Sequence, residues 1–347
     1  MISRFRVASA AVLAALSVAG AGFADDIPRY GITGRIIGPD GGWDYAAFDT
    51  TARRLFVSRT DGVMAVDVDT DKVTPHLVAG ARVHSSLPLP DGLLLVTNGT
   101  SDTAVIADAR DGTVKATIPT GKNPDAAVYD ARSGMAFVMN GKSGDITVID
   151  PKAGRAVGQI EVGGTLEFAA VDGAGHLFVN VEDAGEIAAI DLLARKVTAR
   201  YKLKGCEDPS GLAYVTKGAL LIAACANRHA KVVQAKDGAE VVDLAVGPRP
   251  DAVLYDEARG LAFIPSGGDG TLAVISVADP AKIAVVQTVT THTGARTIAM
   301  DPTTGRLYLP VAKMGPPPAD GGRSQMVPGS FEVLVVSPRG AAALQNR

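Results

Sequence analysis

Asn123-Pro124-Asp125-Ala126-Ala127-Val128-Tyr129-Asp130, followed by Phe137-Val138-Met139-Asn140, Ile146-Thr147-Val148-Ile149-Asp150 and Ile160-Glu161-Val162-Gly163, reads as four short strands joined by polar turns. The pattern recurs seven times. The residues aligned with Asp125 are Asp44, His84, Glu167, Ser210, Asp251 and Arg296, and in chain order the spacings are 40, 41, 42, 43, 41 and 45. Short strands at this period predict four-stranded antiparallel blades around an axis, an all-β seven-bladed β-propeller. Helical repeats of similar length need apolar faces of period 3.6, which are absent. A WD40 reading is weak, because the one Trp-Asp pair, Trp43-Asp44, opens a repeat and does not close one.

The second strands read Phe56-Val57-Ser58-Arg59, Leu95-Val96-Thr97-Asn98, Phe137-Val138-Met139-Asn140, Phe178-Val179-Asn180-Val181, Ile222-Ala223-Ala224-Cys225, Phe263-Ile264-Pro265-Ser266 and Tyr308-Leu309-Pro310-Val311. Here the chain resembles the YVTN-repeat β-propellers. It is most similar to their exported, YncE-like branch through Gly41-Gly42-Trp43-Asp44-Tyr45, Gly121-Lys122-Asn123-Pro124-Asp125, Cys206-Glu207-Asp208-Pro209 and Val327-Pro328-Gly329-Ser330-Phe331. The resemblance covers essentially all of the chain after its leader. It implies seven blades and a secreted or periplasmic protein, but no single activity. Cys225, Ser266 and Val311 replace the motif's Asn in blades five to seven. The last repeat has three strands, ending at Phe331 to Val336, and Tyr30 to Ile37 reads as an orphan fourth. The N-terminal strand is therefore expected to close the last blade, removing two open sheet edges.

Of 347 residues, 47% are apolar and 20% charged, which excludes a disordered, collagenous or coiled-coil chain. Arg4 and Arg6 precede an apolar run from Val7 to about Gly20 and the small residues Gly22 and Ala24. This reads as a signal peptide, residues 1–24, ahead of a single propeller domain, 25–347, with an uncleaved anchor as the alternative. No other apolar run is long enough to span a membrane. Removing Arg4 and Arg6 leaves 34 − 2 = 32 basic against 37 acidic residues, a net charge of −5. A mildly acidic surface argues against nucleic acid as a partner, and a monomer is expected. The two cysteines, Cys206 and Cys225, lack CxxC, haem-attachment or zinc spacing. They fall at the same end of adjacent strands in blade five, where an exported chain is expected to form a disulfide. A catalytic thiol served by His229 is the lesser alternative.

The residues aligned with Asp125 begin each innermost strand, so all seven are predicted to ring the channel mouth on one face. Asp44, His84, Asp125, Glu167, Asp251 and Arg296 are the ligand-binding candidates, with Ser210 completing the ring. Four converging carboxylates repel one another and raise their own pKa values unless a cation or Arg296 neutralises them. Asp44, Asp125, Glu167 and Asp251 are accordingly candidate ligands for Ca²⁺, Mg²⁺ or Zn²⁺. The plainer reading is a wet channel whose polar lining bonds water and the next blade. His84, His229 and His292 fall on the mouth face, while His76 lies on an outer strand and His176 at an opposite turn. One long insertion, Lys313 to Phe331, emerges on the mouth face, and Lys313 and Arg323 make it a candidate lid. Asp67-Val68-Asp69-Thr70-Asp71-Lys72 fails as a calcium loop, with Lys at position six and Val78 at position twelve. No GxSxG, HExxH or GxxxxGK[ST] occurs.

The sequence thus points first to an exported propeller that binds a small ligand or exported protein at the channel mouth. The rival is a metal-dependent hydrolase of the lactonase type, with His84 or a carboxylate as base. A third reading is a scaffold for a periplasmic redox partner, which would itself carry the redox group.

Overall fold

The computed structural model describes residues 27–316 and 324–339. The expected signal segment, and Arg323 within the blade-seven insertion, lie outside the described residues. Seven four-stranded antiparallel sheets follow one another along the chain, each running from an inner to an outer strand. The inner strands are Trp43–Asp49, Val83–Leu89, Pro124–Asp130, Leu166–Val171, Pro209–Val215, Leu254–Asp256 and Ala299–Asp301. Apart from the short pair in blades six and seven, each inner strand faces that of the adjoining blade. In the seventh sheet the outer place is taken by Arg29–Ile37, paired with Glu332–Arg339 from Arg29↔Arg339 to Ile37↔Glu332. The expected closure is present, one residue longer at its start than the sequence indicated.

Burial explains the two kinds of apolar pattern. Second and third strands are apolar without alternation because both of their faces pack against neighbouring blades: Leu55, Phe56 and Val57 are all fully buried. Phe137 of blade three and Val179 of blade four share one such interblade cluster. Outer strands alternate instead, as in Lys196–Lys202, where Tyr201 is buried among exposed lysines and an arginine. Most of the propeller's core lies in the seams between blades.

One irregularity repeats at the axis. The inner strands of the first five blades slip register at the same place, between Trp43/Ala46, Val83/Ser86, Pro124/Ala127, Leu166/Ala169 and Pro209/Leu212. Two inner residues there oppose one on the second strand, a β-bulge that re-aims side chains. The aligned residues Asp44, His84, Asp125, Glu167 and Ser210 each occupy the first bulged position. In blades six and seven the expectation needs correcting: the regular inner strands begin only at Leu254 and Ala299. Asp251 and Arg296 precede them, although the Pro250↔Ser266 bridge holds the lead-in of blade six in line. Pro250 and Pro248 beside it, and the Gly267-Gly268 pair opposite, explain the loss of regular pairing there.

The predicted disulfide joins Cys206 and Cys225, with Cα atoms 5.3 Å apart. Among the described residues no helix is long and apolar enough to cross a membrane.

Candidate ligand site at the channel mouth

The backbone under the ring is pinned by the neighbouring blade. Thr97 Oγ1 donates to the Asp125 carbonyl at 2.8 Å, Thr297 Oγ1 to that of Asp44 at 2.9 Å, and Ser210 Oγ to that of Pro250 at 2.8 Å. Asn180 Nδ2 serves the carbonyls of both Ser210 and Gly211. In blades one, three and five these bonds satisfy carbonyls that the bulge removes from the ladder, and in blade six one in the irregular lead-in. Ser210 therefore holds the frame, and its hydroxyl is spent on the backbone of blade six.

On this frame Asp44, His84 and Asp125 come together. His84 Nδ1 lies 2.6 Å from Asp44 Oδ2 and 3.8 Å from Asp125 Oδ1. One ligand atom from each of the three falls within 4.8 Å of the others. His84 is buried, and its Nε2 has no hydrogen-bond partner among the described residues. Asn123 Oδ1, also buried, has none either. Both atoms flank one point above Gly99, where an added Cβ would sit 2.6 Å from Nε2 and 3.2 Å from Asn123 Oδ1.

The other two candidate carboxylates are engaged elsewhere. Arg296 Nε donates to Asp251 Oδ2 at 2.8 Å and its Nη2 to the Trp43 carbonyl at 3.0 Å, with Asp44 3.7 Å away. Arg296 thus ties blades six, seven and one together. Glu167 meets Tyr45, whose hydroxyl lies 3.5 Å from its Oε2 and whose ring packs edge-on against Phe168. Tyr45 belongs to blade one and Glu167 to blade four, so the buried Tyr45 side chain crosses the channel beneath the ring. Below it the lining is apolar, with Phe168, Ala252 and Ile298 around a cavity of about 380 Å³.

Electrostatics follow from this crowding. Burial, then Asp44, Glu167 and Asp251, push the Asp125 carboxyl well above its usual range. Glu167 is pushed up to about 8, by burial first and Asp251 next. Asp251 is raised by burial and Asp44 despite the opposing pull of Arg296. Burial and the same carboxylates hold the Tyr45 phenol neutral. Arg296 therefore offsets only part of the negative charge, and the site favours a bound cation or proton.

Four of the remaining expectations resolve simply. His229 pairs with Asp243 at 2.9 Å and His292 with Glu332 at 3.2 Å, so neither joins His84. The blade-seven insertion is paired at its base through Met314↔Met326, with the Val327 amide donating to the Lys313 carbonyl. Lys313 stands at the edge of a cavity that Arg296 also lines. Sequence reading missed Tyr45 and Asn123 as site residues.

No protein-family model matches the chain, and no curated protein does either. The fold is shared with solved structures. One, a hydrazine synthase of Kuenenia stuttgartiensis, is similar with a TM-score of 0.70 at 16% identity, covering 86% of this chain and 98% of that one. A chain of a mitotic checkpoint complex is similar with a TM-score of 0.75 at 13% identity, covering 98% and 99%. At such identities the likeness is one of fold alone. The chain is a seven-bladed β-propeller.

Proposed function

We propose that this is an exported binding propeller of the YVTN-repeat, YncE-like kind, whose channel mouth holds a cationic ligand, in the simplest case a divalent metal ion. The observation that carries this is the Asp44, His84 and Asp125 cluster with its two stranded atoms. If His84 Nδ1 faces a cation, its Nε2 carries the hydrogen, and Asn123 Oδ1 is an acceptor across the same small space. The cation removes the like-charge repulsion among the carboxylates. One imidazole with two carboxylates is a donor set suited to Zn²⁺ or a similar transition ion, whereas Ca²⁺ and Mg²⁺ favour oxygen throughout. The leader-like segment and the Cys206–Cys225 disulfide support an extracytoplasmic location.

A second reading, a metal-assisted hydrolase of the lactonase type, is favoured by Glu167. Its carboxyl, buried in the same mouth and raised to about 8 when no cation is bound, is the group there placed to exchange a proton with a substrate. A screen of lactones and esters with and without added metal separates it from binding alone.

The test is elemental analysis of protein purified without chelator. Near-stoichiometric metal is expected in the native chain and loss of it in Asp125→Asn. Gly99→Ala, which crowds Nε2, is expected to weaken metal at least tenfold with the fold retained. Native protein that is metal-free and gains no thermal stability from added Zn²⁺, Mn²⁺ or Ca²⁺ sinks the cation reading.

A further inference from the structure

Beside the acidic mouth, between blades six and seven, lies a cavity of about 860 Å³ of the opposite character. Arg249, His292, Arg296 and Lys313 line it, and among the described residues no carboxylate does. This is unexpected in a chain of net charge −3. Arg296 and His292 are each held from behind by an acid, Asp251 and Glu332. Arg249 and Lys313 are exposed and have no ion-pair partner among the described residues. Thr291, 7% exposed and on the cavity wall, has a hydroxyl without a partner among the described residues. Ala312 and Met314 supply an apolar side, and Met314 is half exposed.

We propose that this cavity binds a small organic carboxylate with an apolar body. Lys313 and Arg249 supply the charge, the Thr291 hydroxyl donates to one carboxylate oxygen, and the apolar body rests against Met314 and Ala312. Charge-assisted hydrogen bonds of this type are the strong ones. Compact inorganic phosphate fits less well. Such ions are usually cradled by backbone amides, and here the amides of Gly267, Gly268 and Gly294 already donate to the carbonyls of Arg249, Pro248 and Gly267. Gly267 is required by closeness, since a Cβ there would lie 2.9 Å from Arg296 Cβ. The inference goes beyond the cation reading and does not rest on it, because none of the three clustered residues lines this cavity.

The chain's single tryptophan provides the readout. Trp43 lies under the Arg296 guanidinium, 5.6 Å from ring centre to Cζ, and beside the Gly294 wall of the cavity. Metal-free full-length protein is titrated with cyclohexanecarboxylate, cyclohexanecarboxamide and inorganic phosphate up to ~10 mM, following Trp43 emission. The carboxylate is expected to give a saturable change, with the amide and phosphate each about tenfold weaker or more. Lys313→Met and Arg249→Gln are each expected to weaken the carboxylate about tenfold, and Thr291→Val several-fold, with circular dichroism unchanged. Equal response to acid and amide, phosphate binding as tight as the carboxylate, no saturable response, or affinity unmoved in both charge variants overturns the proposal. The titration contains no metal, so its failure is distinct from failure at the Asp44, His84 and Asp125 cluster.

Discussion

Glu167 shows how one side chain links the mouth to global stability. Its carboxyl moves from an ordinary 4.5 in the unfolded chain to about 8 in the fold, so the native state holds a proton that the unfolded state releases. Stability from this group is fully present below pH 4.5 and is lost as pH rises through about 8. Metal-free protein is expected to lose ~2 kcal/mol over that window, a figure discounted for partial exposure and for the coupled neighbours. Denaturant titrations of the native chain and Glu167→Gln at pH 5 and pH 8 check it. The variant should lose clearly less than the native chain; an equal loss in both rejects the assignment. Tyr45 marks the limit of what sequence can say at this scale. Strand alternation sends the neighbour of Asp44 away from the axis, and only the bulge between Trp43 and Ala46 lets both residues serve the channel. Asp44, His84 and Asp125 were legible as aligned positions. That they outrank Asp251 and Glu167 as a cluster depends on Arg296 and Tyr45, whose reach across blades no spacing encodes.

At the scale of elements, strand period and the Gly-bearing turns made the blades readable, and even the substitution of Cys225 for the motif's Asn has a structural reason. In blade three Asn140 at that place bonds Asp145 and Thr147, holding the end of the second strand to the third, whereas in blade five the covalent link to Cys206 holds the same strand end to the lead-in of the inner strand. The bond closes a loop with a sequence separation of 19. Chain-entropy reasoning gives about 3 kcal/mol for such a loop. Reduction of the native protein, or a paired Cys206→Ala and Cys225→Ala change, should therefore lower Tm by several degrees without altering the circular dichroism spectrum. An unchanged Tm under reductant would mean that the strand pairing alone holds that edge. Less legible were the short inner strands of blades six and seven. Their apolar residues continue the repeat, and in blade six proline and glycine remove the pairing without disturbing the alignment.

For the whole molecule the decisive contact is between Arg29–Ile37 and Glu332–Arg339. Ile36, buried against the first and last blades, lies on this strand. Ile36→Asp places an unpaired charge in that seam, and a loss of about 3 kcal/mol or more is expected, against under about 0.5 kcal/mol for Ile37→Asp, whose side chain is 65% exposed. Urea denaturation of the two variants decides it; similar losses would mean the closing strand contributes little.

This closure also sets an order of events in time. The strand that completes the ring is the first of the propeller to leave a ribosome or an export channel, and its partner is the last. Until residue 339 has emerged, the first strand has nowhere to dock and the seventh blade has a bare edge. Blades one to six can pack as they appear, but the cooperative step waits for the full length of chain. A nascent chain stalled inside blade seven would therefore present two sticky edges at once, and such a protein should depend on holding factors during synthesis to a degree that its finished stability would not suggest.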